Sequence, residues 1–217
     1  MIFCDLPYGT TACKWDIIIP FDKLWKEYKR VIKDNGAIVL FSAQPFTSAL
    51  ITSNPKMFRY DIIYEKTKPT GFLNAKKMPM RYHEEILVFY KKLPTYNPIM
   101  TNGHNPLIGS MANHKSSNYG EYKSKCTERQ KGGSTTRYPK SVLKFDSILK
   151  GHLHPTQKPL SLIEYMIRTY SNEGDLILDN CAGSGTTGLG AKNLNRNYIM
   201  MEQDPKYFEI AKARVGE

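Results

Sequence analysis

An α/β fold, with a mostly parallel sheet covered by helices on both faces, is predicted by two features of the chain. Short apolar runs without polar alternation recur, and three of them stop at an acidic residue, Asp5, Asp179 or Glu202, as strands buried on both faces do when they reach a polar tip. Segments with apolar residues at helical spacing lie between such runs, and helix followed by unalternating strand is the pattern of a parallel sheet.

Residues 1–4 (Met-Ile-Phe-Cys) read as the first strand, so the chain starts inside an element. Over 21–33, Leu24, Tyr28 and Ile32 fall four apart on one helical face, and Asn35-Gly36 stops that helix. Residues 37–41 read as a second buried strand, and 60–64 and 85–90 as two more. The stretch 92–150 loses periodicity and is rich in Asn, Ser, Gly, Lys and Tyr. It is expected to be a long insertion, and an irregular stretch of that size in a compact domain is usually functional or disordered. Beyond it, 160–170 has helical spacing, 172–175 (Asn-Glu-Gly-Asp) is turn chemistry, and 176–178 is a strand ending at Asp179. A helix over 186–194, a strand over 198–201 ending at Glu202, and a helix opened by Pro205 and running to Arg214 complete a parallel βαβα unit.

A chain of 217 residues and 24.9 kDa suits one domain with a buried core. Hydrophobic residues at 41% and charged residues at 24% exclude a disordered or collagen-like chain. No apolar stretch approaches the roughly 18 residues of a membrane helix, and 1–8 lacks the features of a signal peptide, so a cytoplasmic protein is expected. Cys4, Cys13, Cys126 and Cys181 form no C-x-x-C pair, which suggests neither a zinc site nor a disulfide framework. Lys plus Arg number 31 against 20 Asp plus Glu, a net charge of +11. Residues 91–150 alone hold 11 basic and 3 acidic residues, so +8 of that charge lies in these 60 residues. This is the footprint of a phosphate-tracking surface, although a solvated insertion kept soluble by lysines carries the same charge.

Two constellations carry chemistry. Asp179-Asn180-Cys181-Ala182-Gly183-Ser184-Gly185-Thr186-Thr187 links a strand to a helix, where glycines let backbone approach a ligand and the helix start offers free N–H groups. Glu202, at the next strand tip, can accept hydrogen bonds from ribose hydroxyls, so an adenosine-bearing cofactor fits across the two tips. The loop has no Gly-Lys-Ser/Thr and no third glycine, which disfavours a P-loop hydrolase and weakens an NAD reading. The second constellation is Asp5-Leu6-Pro7-Tyr8, also at a strand tip. Pro7 holds Leu6 extended, the Asp5 side chain and Leu6 carbonyl can point to one spot, and Tyr8 supplies an exposed aromatic face. Two acceptors beside a ring suit a planar amine.

Together these segments resemble the S-adenosylmethionine-dependent amino methyltransferases of DNA, in the class whose catalytic motif precedes the cofactor motif. Asp5-Leu6-Pro7-Tyr8 is similar to the family's Asp-Pro-Pro-Tyr, and residues 179–187 to its Asp-Pro-Phe-x-Gly-Ser-Gly-Thr-Thr loop. His154-Pro155-Thr156-Gln157-Lys158-Pro159 is similar to the segment that runs beside the methionine part of the cofactor. Arg81-Tyr82-His83-Glu84 before a strand, and Arg137-Tyr138-Pro139-Lys140-Ser141-Val142, also look like this class. The resemblance covers most of the chain and implies a single Rossmann-like methyltransferase domain over 1–217, with 92–150 as its target-recognition insertion. It implies that S-adenosylmethionine is held by Asp179, Gly183, Ser184, Gly185, Thr186, Thr187 and Glu202, with His154, Thr156 and Lys158 alongside. Asp5, Leu6, Pro7 and Tyr8 would be catalytic, and Lys115, Lys123, Lys125, Arg129, Lys131 and Arg137 would bind DNA. No metal is implied. The implied reaction is site-specific methylation of the exocyclic amine of an adenine flipped out of double-stranded DNA, as in restriction-modification, where a cognate nuclease is a further partner.

Three departures stand out. Leu6 replaces the first proline, whose role in the family is a backbone carbonyl that leucine also has. Asn180-Cys181 replaces Pro-Phe, removing an aromatic near the cofactor. Family members usually carry one more strand and helix before the catalytic strand, so roughly 20–30 residues and an N-terminal edge strand are expected to be missing. A catalytically impaired DNA-binding fragment, methylation of a cytosine amine, of RNA or of a protein glutamine, and, more distantly, an NAD oxidoreductase are the competing readings. Trp15, Trp25, His104, His114 and His152 receive no role.

Overall fold

The computed structural model describes residues 1–13, 15–106, 133–148 and 151–216. The chain divides into two compact units, Met1–Asn97 with Ser141–Glu217, and Pro98–Lys140. In the first unit, β1 (Ile2–Asp5), β2 (Ile38–Ser42), β3 (Phe58–Thr70), β4 (Arg81–Phe89), β5 (Val142–Phe145), β6 (Leu176–Asp179) and β7 (Asn197–Met200) form one sheet in the order β5-β3-β4-β2-β1-β6-β7. The pairs β1–β2, β1–β6, β6–β7 and β3–β5 are parallel, whereas β4 runs antiparallel to both β2 and β3. The predicted α/β fold with a mostly parallel sheet is therefore present.

Both faces are covered, as unalternating strands require. On one face Phe3, Val39, Phe41, Ile86 and Val88 pack with Leu162, Ile163, Met166 and Ile167 of α3 (Leu160–Tyr170) and Ala191 of α4 (Thr186–Asn193). On the other, Ile2, Cys4, Ile38, Leu40, Leu87 and Phe89 pack with Leu24, Trp25 and Tyr28 of α1 (Phe21–Val31) and with Phe46 and Leu50 of α2 (Phe46–Ser53). Successive residues of β1, β2 and β4 thus enter opposite cores, each large apolar side chain contributing about 1.5–3 kcal/mol. Helix α5 (Pro205–Val215) starts as its sequence predicts, with Pro205 in its first turn and the Asp204 carboxylate accepting from the N–H groups of Lys206 and Tyr207.

Three features differ from the sequence expectation. Helix α2 is too short and too weakly amphipathic to read, since only Phe46, Thr47 and Leu50 turn inward. Strand β3 extends well past the apolar 60–64, because its outer part alternates charged and half-buried residues. Strand β5 falls inside the predicted 92–150 insertion, its regularity coming from pairing with β3 and not from a buried pattern of its own. In the Pro98–Lys140 unit, Thr101 and Arg137 form an antiparallel bridge and the His104 ring meets the Thr101 hydroxyl at 2.7 Å. Among the described residues no helix is long and apolar enough to cross a membrane.

Candidate active site

Parallel neighbours end at the same edge of a sheet, and this delivers the two sequence constellations to one place. After β1 the chain builds outward through β2, and it returns to the other side of β1 with β6, so the crevice beyond the ends of β1 and β6 is a topological switch point. Asp5 ends β1 and Asp179 ends β6, with Glu202 two residues beyond β7. A cleft of about 1100 Å³ opens there, lined by Asp5, Leu6, Pro7 and Tyr8 and also by Asp179, Gly183 and Glu202.

Asp5 sits in a chain of alternating charge. Its Oδ1 accepts from the Tyr8 hydroxyl at 2.7 Å, and its Oδ2 accepts from Lys158 Nζ. Lys158 also lies 3.4 Å from Glu84 Oε2, an ion pair without hydrogen-bond alignment, while Glu84 Oε1 accepts from Lys66 at 3.2 Å. Burial pulls the Lys158 ammonium down, but the Asp5 and Glu84 carboxylates outweigh it and hold the group above its ordinary value. Burial likewise pushes Glu84 up, and Lys158 and Lys66 bring it below the usual carboxylate range. The Tyr8 hydroxyl is driven well upward by burial and by Asp5 and Glu84, so it stays an O–H donor. Its ring stacks on Phe46 with centroids 5.1 Å apart. One side of the Tyr8 ring is thus packed and the residue lines the cleft, which fixes the ring as a wall of it.

The turn after Tyr8 is organised by Asp16, whose buried carboxylate accepts from the N–H groups of Gly9, Thr10 and Thr11 at 2.7–2.9 Å. Burial opposes its ionisation, but these bonds and the Thr11 side chain prevail and its carboxyl lies below its ordinary value.

Opposite, the glycine loop curls over the start of α4. Gly185, with φ +75°, caps that helix, and a Cβ there would come within 2.9 Å of Ala211 Cα, so only glycine fits. Gly185 packs against α5, whereas Gly183, Ser184, Thr186 and Thr187 line the cleft. The Ser184 and Thr186 hydroxyls accept from the Arg214 guanidinium at 3.2 and 2.9 Å, bracing the loop from behind. Asp179 is buried and its Oδ1 accepts from Cys181 N at 3.0 Å and Cys4 Sγ at 3.2 Å. Burial pushes its carboxyl up to about 6, partly countered by the Thr187, Cys181 and Cys4 hydrogen bonds. Glu202 accepts from Gly183 N at 2.7 Å and Asp204 N at 2.9 Å, tying the two strand tips together. The His154 ring lies between Trp15 and Tyr207, with centroids 5.2 and 4.3 Å away, and Thr156 bonds His154 Nδ1 through both its N–H and its hydroxyl.

Lys158, expected beside the cofactor, lines the cleft and is the direct charge partner of Asp5. Arg137 spends its guanidinium on the carbonyls of Ser134, Thr136 and Asn105. Lys115, Lys123, Lys125, Arg129 and Lys131 lie outside the described residues, as do His114 and Cys126. The sequence alone assigns no role to Lys66, Glu84, Asp16, Trp15 or Arg214. Glu84 closes the Arg81-Tyr82-His83-Glu84 segment, but only the antiparallel entry of β4 brings it against Lys158. Trp25 is a core residue whose Nε1 donates to Ser53 Oγ, and His152 lines the cleft.

The family described as DNA methylase matches residues 1–213. The chain is 29% identical to the type II methyltransferase M.HpaI of Haemophilus parainfluenzae over 96% of its length, and 32% identical to M.HinfI of Haemophilus influenzae over 91%. These matches span 63% and 51% of the two relatives, so the chain covers less than two thirds of either. Among solved structures, the M1.HpyAVI–SAM complex superposes with a TM-score of 0.63 at 26% identity, covering 100% of this chain and 88% of that one.

Proposed function

Because the chain belongs to the DNA methylase family, we propose that it transfers a methyl group from S-adenosylmethionine to the N6 amine of an adenine at a specific site in duplex DNA. One observation carries this reading: a single cleft presents the Asp5-Leu6-Pro7-Tyr8 turn on one wall and the Gly183 loop with Glu202 on another.

The residues fit the cofactor. Each Glu202 oxygen uses one acceptor site on a backbone N–H and keeps another for a ribose hydroxyl. Gly183, in the left-handed region at φ +51° and lining the cleft, would let the backbone come close to the bound cofactor. When bound, S-adenosylmethionine supplies a methyl group activated by its sulfonium charge. The chain's task is then to expose the amine lone pair, which in adenine is delocalised into the ring. Asp5 and the Leu6 carbonyl accept the two amine hydrogens, localising the lone pair on the nitrogen and aiming it at the cofactor side of the cleft. Tyr8 and Lys158 occupy two of the roughly four acceptor positions of the Asp5 carboxylate, so capacity for the amine remains. Tyr8 offers its free ring face to the base, which must leave the duplex to reach this depth, at a cost of a few kcal/mol. On taking the methyl group the amine nitrogen sheds one proton, which Asp5 accepts and passes to solvent, and the cofactor leaves as a neutral thioether; placement and fixed charge supply the acceleration.

The lysine-rich 92–150 stretch supports duplex DNA as substrate by its charge, and an acidic Asp5 supports adenine over cytosine, whose enzymes carry serine there. Incubation with S-adenosylmethionine labelled on its methyl group, with duplex DNA and RNA side by side, followed by sequencing of modified bases, tests the reading. Label on N6 of adenine in DNA is expected; label confined to RNA or to cytosine would reject it.

A further inference from the structure

Strands β3 and β4 are joined by residues 71–80, and this tip carries the two most exposed large apolar side chains among the described residues. Phe72 is 79% and Leu73 96% exposed, with Met78 also largely in solvent. The loop nevertheless hydrogen-bonds its own backbone. Gly71 turns the chain with φ +89°, a 3-10 turn spans Phe72–Asn74, and the backbone N–H groups of Asn74, Ala75, Lys77 and Met78 all find carbonyls within the loop. Large apolar side chains presented to water on a hydrogen-bonded turn mark an interaction site. The flanks are basic: Lys68, Lys76, Lys77 and Arg81 lie between 67 and 83, with no acidic residue.

The position of the hairpin selects its partner. Its base lines the cleft, through Lys68, Thr70 and Arg81 as well as Glu84. Arg81, paired with Thr70 at the root of the tip, lies three residues from Glu84, about 10 Å along the strand. The apolar tip therefore stands within a few base-pair steps of the point where a target base must enter. We propose that Phe72 and Leu73 are a wedge inserted into duplex DNA next to the target base, filling the gap left in the stack while Lys76 and Lys77 hold the flanking phosphates. Apolar wedges between base steps, set among cationic side chains, are a general way to stabilise unstacked DNA. A basic and apolar loop could also lie on an anionic membrane; its place at the cleft rim favours DNA.

The inference rests on the proposed base flipping and methyl transfer, and the test separates the two. Oligonucleotide duplexes carry the chain's own methylation site, found by sequencing modified bases, either fully paired or with an abasic site opposite the target adenine. Wild-type chain and the double variant Phe72→Ser/Leu73→Ser are compared. Exposed positions leave the melting temperature and S-adenosylmethionine affinity unchanged. On paired duplex the variant should lose at least 10-fold in kcat/KM. On the abasic duplex, where the target is already free to leave the stack, the loss should shrink to within about 2-fold. An equal loss on both duplexes, or none on either, overturns the wedge. Binding of wild-type chain but not variant to phosphatidylserine vesicles, with methylation of both duplexes unaffected, assigns the tip to membranes and overturns it too. Wild-type chain that methylates neither duplex overturns the proposed function itself, and the wedge with it. The pair Lys76→Gln/Lys77→Gln should instead flatten the salt dependence of DNA binding while preserving the advantage of wild-type chain over the wedge variant on paired DNA.

Discussion

Replacing Asp179 by asparagine should stabilise this chain at neutral pH and lose that advantage in acid. Asp179 is buried at the end of β6, and burial raises its carboxyl from 3.8 to about 6 in spite of three hydrogen bonds that favour the charged form. A folded-state value above the unfolded one means that the folded chain binds more protons between the two. Stability therefore falls as pH rises from about 3.8 to about 6 and stays lowered above that. The gap corresponds to roughly 3 kcal/mol at about 1.4 kcal/mol per pH unit. Asparagine has nearly the same shape, keeps an oxygen for the Cys181 N–H, and carries no charge to desolvate. In urea unfolding at pH 8 and pH 4, the stability gained by Asp179→Asn should be about 2–3 kcal/mol larger at pH 8. A difference of equal size at both pH values would refute carboxylate desolvation as the cause. The same variant is expected to bind S-adenosylmethionine less well, because a charge buried at the end of a strand facing a cleft is the kind of group that trades stability for function.

Glu202→Ala removes the acceptor shared by Gly183 and Asp204; hydrogen bonds to a charged group are worth about 1.5–3 kcal/mol, so S-adenosylmethionine affinity should fall about 10- to 150-fold by calorimetry, and an unchanged Kd would reject the assigned role. Asp5→Ala should lower methyl transfer by on the order of 10²–10³ or more while cofactor and DNA affinities change little, since its contact matters most as the amine nitrogen changes shape; wild-type turnover would disprove the mechanism. Lys158→Met leaves Asp5 and Glu84 facing each other without their shared cation, and should cost about 3–5 kcal/mol in urea unfolding together with most of the activity; a stable, active variant would show the ion pairs to be incidental. Replacing Lys115, Lys123, Lys125, Arg129 and Lys131 with glutamine should flatten the dependence of DNA affinity on salt, by about 0.9 in log–log slope for each lost phosphate contact, and an unaltered slope would move the DNA surface elsewhere.

The sequence by itself determined the fold class, the order of the buried strands along the chain, and the three strand tips that line the cleft. Each of these is written locally, in unalternating apolar runs, in helical spacing, and in the residues that stop a strand, as at Asp5, Asp179 and Glu202. Only the tertiary structure decided which of those residues touch. Lys158 is 153 positions from Asp5 along the chain yet caps its carboxylate, and Glu84 reaches the same ammonium only because β4 enters antiparallel beside β2. Arg214 and Asp16 brace the two loops through contacts that no local pattern announces. Strand β5 and helix α2 are not legible in the sequence for the same reason: an edge strand and a two-turn helix owe their regularity to the neighbours they pair with or pack on, and that information is not carried in their own residues. The exposure of Phe72 and Leu73 is likewise a tertiary fact, since a Phe-Leu pair in sequence is as suited to a core as to a hairpin tip, and only the turn at Gly71 puts it in water.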